Sequence, residues 1–286
     1  MAILVDYSGI AIANLFAQKA EINESMVRHM ILNSLRMYNV RYRKQYGQMI
    51  LACDGGAVWR KDLYPHYKAH RAKNREESGV DWKEFFRILA LVRDEIRDNI
   101  PMQVIHIQGV EADDVIATLV EQTQEFGKAE DIMIVSADKD FRQLQQYSNV
   151  SQFSPMTKTL IKETDPISTL YEQIFRGDKG DGVPNVLSGD RTFVDNERQR
   201  TLSSKKVDEW QLNRNRLQEV MDTETYRNFQ RNQQMIDLSK IPEAKKLQII
   251  NTSVTSRSKL SNNTLNYLID KRCSQLIECA SEFNHA

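Results

Sequence analysis

Ile132-Met133-Ile134-Val135-Ser136-Ala137-Asp138-Lys139-Asp140 is a short apolar run that passes directly into acids. Four consecutive apolar residues, too few for a helix, read as a buried strand, and Asp138 is the first charge beyond it. The same phrase occurs earlier in Ile3-Leu4-Val5-Asp6 and in Met49-Ile50-Leu51-Ala52-Cys53-Asp54. Val104-Ile105-His106-Ile107 is a further strand, followed by Gly109-Val110-Glu111-Ala112-Asp113-Asp114. Helical patterns separate these strands. Residues 24–46 place Val27, Met30, Ile31, Leu35 and Tyr38 on one face, and Gly47 stops that helix. Residues 81–98 open with Asp81 and Glu84 at capping-box spacing and carry Phe85, Ile88, Leu89, Val92 and Ile96 on one face. A third helix is expected from Glu111 to Phe126, closed by Gly127. Strands alternating with helices predict an α/β fold, with a mostly parallel central sheet flanked by helices.

The strand-ending acids define the candidate site. In an open parallel sheet the carboxyl ends of the strands line the ligand crevice. Asp6, Asp54 and Asp138 arrive there from three strands, and Asp140 follows two residues on. Glu111, Asp113 and Asp114 open a helix, where the dipole favours negative charge. Asp178 and Asp181 come from a glycine-rich turn, Gly177-Asp178-Lys179-Gly180-Asp181-Gly182. Any one of these acids alone reads as a helix cap or turn former. Independent caps have no reason to recur at the same end of successive strands. Nine converging carboxylates need compensation, because like charges oppose ionisation. Hard divalent cations such as Mg²⁺ supply it through oxygen ligands, and the absence of Cys and His partners argues against zinc or copper. Two such ions about 4 Å apart suit in-line displacement at a phosphodiester.

Residues 59–75 are basic, with Arg60, Lys61, Lys68, Arg71, Lys73 and Arg75 against the single acid Asp62, and with Trp59, Tyr64 and Tyr67 between them. Cations that neutralise phosphates, beside rings that stack on bases, suit single-stranded nucleic acid. His66 and His70 lack the glutamate of a zinc-protease motif and are expected to be exposed. Ser8 and Ser136 have no paired histidine, so a serine hydrolase is not supported.

The rest of the composition narrows the class. The chain has 286 residues, 41% of them hydrophobic, enough for a core without disulfide or metal staples. Lys+Arg and Asp+Glu balance at 39 each, so any nucleic-acid preference must come from charge distribution. Three cysteines without C-x-x-C spacing point to a reducing compartment. No run approaches the roughly 18 apolar residues of a membrane span, and Asp6 interrupts the apolar start too early for a secretory leader. Residues 190–206 read as a polar loop, 207–232 as weakly helical, and 262–281 as one or two helices.

With these motifs in order, the chain resembles the flap endonuclease/5′-nuclease superfamily. The resemblance rests on Val5-Asp6, Ala52-Cys53-Asp54, Trp59-Arg60, Tyr64 through Arg71, Gly109 through Asp114, Ser136 through Asp140, and Gly177 through Pro184. Within the superfamily it is most similar to the T-even bacteriophage ribonuclease H branch, through Met26-Val27-Arg28-His29, Ile31 through Ser34, Arg75 through Ser78 and Ser154-Pro155-Met156. The resemblance implies a 5′→3′ nuclease that removes RNA primers or short flaps from duplex DNA during replication and leaves 5′-phosphates. It implies Asp6, Asp54, Glu111, Asp113 and Asp138 around a first Mg²⁺, and Asp140, Asp178 and Asp181 around a second, with Asp114 nearby and Mn²⁺ able to substitute. It implies a basic helical arch over about 57–80, in which Lys68 and Arg71 steady the phosphate and Tyr64 and Tyr67 guide the strand. Residues 1–186 form the catalytic core on this reading, ending in a helix-hairpin-helix-like turn at 177–186. Residues 187–286 form a mainly helical region for duplex and partner binding. The expected substrates are RNA–DNA and DNA duplexes with 5′ ends, nicks or flaps. A single-stranded-DNA-binding protein and a sliding clamp are the expected partners of a cytoplasmic monomer. A potassium ion is expected at the glycine-rich turn, although Pro184-Asn185 stands where the family has Pro-Gly. A PIN-like endoribonuclease and a non-catalytic binder of branched DNA are the competing readings.

Overall fold

The computed structural model describes residues 1–17, 22–56, 59–124 and 129–284. It divides into two interleaved compact units. The first comprises Met1–Gly56, Asp81–Lys162 and Pro242–Ala286, and the second Ala57–Val80 and Glu163–Ile241. This division differs from a break at residue 186, because the last 45 residues return to the first unit.

The first unit is built on a six-stranded sheet in the order β3-β2-β1-β4-β5-β6. The strands are β1 (Ala2–Asp6), β2 (Gln48–Cys53), β3 (Gln103–His106), β4 (Ile132–Val135), β5 (Val150–Ser154) and β6 (Thr159–Ile161). Only the β5–β6 pairing is antiparallel. The central strands β1 and β4 are buried along their apolar runs, as expected of a parallel sheet covered on both faces. Asp6 pairs in register with Ala52, and Val5 with both Leu51 and Val135. The ends of β2, β1 and β4 are therefore level, with Asp6 closing β1, Asp54 directly after β2 and Asp138 three residues beyond β4.

The flanking helices form for local reasons. Asn23 caps Glu24–Tyr46 by accepting from Met26 N at 2.8 Å, and Gly47 ends that helix at φ 74°. Asp81 caps Trp82–Asn99 by accepting from Glu84 N, and Phe85, Ile88, Leu89, Val92 and Ile96 form its buried stripe. The helix opened by Glu111 spans Ala112–Gln122; Phe126 and Gly127 lie outside the described residues. Three elements of this unit went unread in the sequence: the helix Tyr7–Ala17, the β5–β6 hairpin and the helix Glu243–Arg257. The last is joined to the helix Ala112–Gln122 by Lys246–Glu121 at 2.6 Å and to β3 by Gln103 Nε2 donating to Ser253 O at 2.7 Å. Near the end of the chain Asn39 Nδ2 donates to Glu282 O and Asn284 O.

The second unit is helical. Its core gathers Leu170, Ile174, Phe175, Trp210 and Phe229 with Tyr64 and Tyr67. Ser203 caps a helix from Ser204, so the polar loop ends earlier than residue 206. The longest helix here, Thr223–Ile236, is capped by Asp222.

Candidate active site

Seven of the nine acids belong to the first unit, and most of them have a local structural duty as well. Asp6 Oδ1 accepts from Gly9 N at 2.8 Å, which anchors the start of the helix after β1. Asp138 caps a 3₁₀ helix, Lys139–Gln146, and accepts from Asp140 N at 2.9 Å. Glu111 caps Ala112–Gln122, and Asp114 Oδ2 closes the capping box on Glu111 N at 3.1 Å. Asp54 Oδ1 accepts from Ala112 N at 3.1 Å, which ties the end of β2 to that helix. Gly55 permits this tie. It hydrogen-bonds to Val110 O at 2.8 Å, and a Cβ there would collide with Ile107 O.

Asp6, Asp54, Glu111, Asp114 and Asp138 thus each have a local capping or anchoring role, and Asp6 also lies near Asp54 and Asp138. Asp6 shows the consequence. Desolvation pushes its carboxyl up to about 7, and neighbouring Asp54 and Asp138 push the same way, against the pull of Gly9 N and Ser136. Asp54 and Asp138 are exposed, Asp113 and Asp140 half-buried, and Glu111 and Asp114 buried. Asp114, at 0% exposure, holds Glu111 rather than facing solvent.

The donor set fits a hard divalent cation, because every candidate ligand is a carboxylate. Among the described residues, no three His, Cys, Asp or Glu side chains already close around one ion position.

Two supporting residues escaped the sequence reading. Ser136 Oγ donates to Asp6 Oδ2 at 3.0 Å and accepts from Asp138 N at 3.1 Å, which couples two strand-ending acids. Gln152, fully buried on β5, donates to Ser136 O at 3.1 Å and Asp138 O at 2.7 Å, and its own oxygen accepts from Gln145 Nε2. Neither is acidic or periodic. The only signal was the position of Ser136 within Ser-Ala-Asp.

The basic segment and the glycine-rich turn lie together in the second unit. Asp178 accepts from Asp181 N and caps a one-turn 3₁₀ helix, Lys179–Asp181. Asp181 is paired with Arg71 at 2.6 Å and Lys68 at 3.6 Å, and it accepts from Tyr67 OH at 2.9 Å. The two cations expected to steady phosphate are therefore engaged with one of the expected metal ligands.

Several residues of the segment sit otherwise than expected. Tyr64 and Tyr67 are core residues at 3% and 2% exposure, and Tyr64 OH donates to Asp190 O at 2.6 Å. Their rings pack inward instead of facing a strand for stacking. Arg60, at 2% exposure, donates to Met235 O at 3.0 Å and covers the Trp59 ring. Lys61, Lys73 and Arg75 are exposed. His66 and His70, expected to be exposed, are half-buried instead, and a Cβ on Gly182 would stand 3.0 Å from His70 Nδ1.

Comparison with known proteins gives the family. Residues 1–173 match the family model of the 5′-3′ exonuclease N-terminal resolvase-like domain, and residues 165–283 match that of the T4 RNase H C-terminal domain. The ribonuclease H of Enterobacteria phage T4 is 35% identical over 98% of this chain and 95% of its own length. A flap endonuclease Xni of Shewanella sp. (strain MR-4) is 31% identical over 46% of this chain and half of its own. The fold matches the bacteriophage T5 flap endonuclease, solved with DNA and metal ions, at a TM-score of 0.61 and 19% identity over 90% of this chain and 99% of that one. It also matches the T5 5′-exonuclease with bound zinc, at 0.58 and 17% identity over 98% of this chain and 99% of that one. On the family models and the full-length relative, the chain belongs to the 5′-3′ exonuclease family that includes phage ribonuclease H.

Proposed function

We propose that this chain is a Mg²⁺-dependent 5′→3′ nuclease of ribonuclease H and flap endonuclease type. It removes RNA primers and short 5′ flaps from duplex DNA during replication and leaves 5′-phosphates. The observation that carries this reading is the set of carboxylates at the level ends of β2, β1 and β4, with Asp6 pushed up to about 7 by burial and its acidic neighbours. A protein gains nothing from such a group unless a cation offsets it.

Asp6, Asp54, Glu111, Asp113, Asp138 and Asp140 are the proposed ligands in the first unit, and Mn²⁺ is expected to replace Mg²⁺. Asp178 and Asp181 are proposed as further ligands from their motif. Bound divalent ions, two on this reading, would polarise the scissile phosphate and activate water. The chain's own residues do the positioning. Gly9 N and Ser136 Oγ aim Asp6, Ala112 N aims Asp54, and Asp114 holds the backbone of Glu111. Lys68 and Arg71 neutralise phosphate charge once substrate competes with Asp181 for them. A monomer acting in the host cytoplasm, with a single-stranded-DNA-binding protein and a sliding clamp as partners, completes the proposal. Among the described residues no helix is long and apolar enough to cross a membrane.

The test uses a 5′-labelled RNA-primed nicked duplex and a matching 5′-flap, each with Mg²⁺ and with EDTA. Wild type should release short 5′ products only with Mg²⁺. Asp138→Asn should bind both substrates and lose at least about a hundredfold in rate. Full activity in Asp138→Asn would sink the mechanism, and tight binding without cleavage in any metal would favour a structure-specific binder.

A further inference from the structure

A potassium ion bound by a backbone turn needs several carbonyl oxygens to stand in for its hydration shell. The carbonyls that follow the glycine-rich turn are already engaged by side chains of the helix Thr223–Ile236. Arg231 Nη2 donates to Pro184 O at 2.9 Å and reaches Asn185 O at 3.5 Å, while Nη1 reaches Ser188 O at 3.4 Å. Asn232 Nδ2 donates to the same Pro184 O and to Ile174 O, both at 2.8 Å. Asn228 Nδ2 donates to Val186 O at 2.9 Å and Ser188 O at 3.3 Å. Asn228, Arg231 and Asn232 fall at i, i+3 and i+4, so one helix face engages the carbonyls that follow the turn. Tyr64 OH covers Gly182 O and Asp190 O.

The charge also matches. Asp190 is shared by Arg227 at 2.7 Å and by Arg231 at 2.5 Å, so the trio carries a net charge of +1, that of one monovalent ion. Arg231 is only 7% exposed at its side chain and lies 5.7 Å from the centre of the Tyr64 ring. A planar fork held on three carbonyls and a carboxylate is fixed in place as a diffusible cation is not. Asn185 completes the turn: its Oδ1 accepts from Leu187 N at 3.0 Å and Ser188 Oγ at 2.9 Å, and its Nδ2 donates to Arg200 O at 2.8 Å.

We propose that Arg231 is the resident cation of this turn, and that the chain grips duplex DNA without a bound potassium ion. The site therefore does not fit the potassium that the resemblance implies. The proposal rests on the nuclease reading only in taking duplex DNA as the ligand.

The experiment measures anisotropy of a labelled nicked duplex in EDTA, with KCl, NaCl or tetramethylammonium chloride at equal concentration. Equal ionic strength holds the general phosphate term constant. Wild-type affinity should agree across the three salts within about threefold, and a larger gain in KCl would overturn the proposal. Arg231→Met should weaken binding about tenfold or more, whereas Arg231→Lys should retain a cation and remain indifferent to potassium. Arg231→Met binding as tightly as wild type would also overturn it. Thermal midpoints without DNA give a second readout, because an ion that binds the native state raises the midpoint. Wild type should melt at the same temperature in KCl and in tetramethylammonium chloride, and a rise specific to KCl would overturn the proposal. If wild type bound no duplex in any salt, the nuclease reading would fail, while the melting comparison would still decide the cation.

Discussion

Asp6 is held where its charge is costly, and the cost has a sign that can be read. Burial and its acidic neighbours push its carboxyl up to about 7, against roughly 3.9 in an unfolded chain. The folded protein without divalent ions therefore binds this proton more tightly than the unfolded chain does. The resulting stability is fully present below about pH 4 and is lost as pH rises towards 7. Asp6→Asn mimics the protonated acid. In EDTA its melting midpoint should exceed that of wild type by clearly more at pH 8 than at pH 5. An equal gap at both values, measured by calorimetry, would mean that Asp6 is not in the strained state described. At this scale Asp6, Asp54 and Asp138 were legible because each closes an apolar run. Ser136 and Gly9 were not, since a hydroxyl from one strand and an amide from the next helix leave no periodic trace.

At the scale of elements, β5 shows how a strand without an acid serves the site. Gln152 clamps the carbonyls of Ser136 and Asp138 from a fully buried position, so the loop after β4 cannot drift. Gln152→Ala leaves both carbonyls without that donor, at a cost of about 1–3 kcal/mol. Urea unfolding should show that loss, and cleavage should fall with it in kcat more than in KM, because the clamp sets the geometry of Asp138 rather than duplex affinity. Unchanged kcat in a folded variant would show that the loop holds itself. The sequence reading placed the helices with strong apolar stripes and missed Glu243–Arg257, whose only fully buried residue is Ile249. It also read the basic segment correctly as charge and wrongly as a stacking platform. Tyr64 and Tyr67 stand three apart in a short turn and point into the core with Phe175 and Trp210, a direction that composition does not encode.

At the scale of the whole molecule, the sequence broke where its patterning weakened, near residue 186, whereas the chain crosses between its two units and comes back. Only tertiary contacts reveal the return, such as Asn39 with Glu282 and Asn284, or Gln103 with Ser253. What the sequence did carry is the parallel sheet and the level at which its acids emerge, and at that level the strand-ending carboxylates are proposed to hold a divalent cation. The most direct test is equilibrium Mn²⁺ binding, followed by electron paramagnetic resonance, on wild type and Asp54→Asn. Wild type should show a Mn²⁺ site whose affinity falls at least about tenfold in Asp54→Asn. Superimposable binding curves, or no Mn²⁺ bound by wild type even with a nicked duplex present, would contradict that proposal.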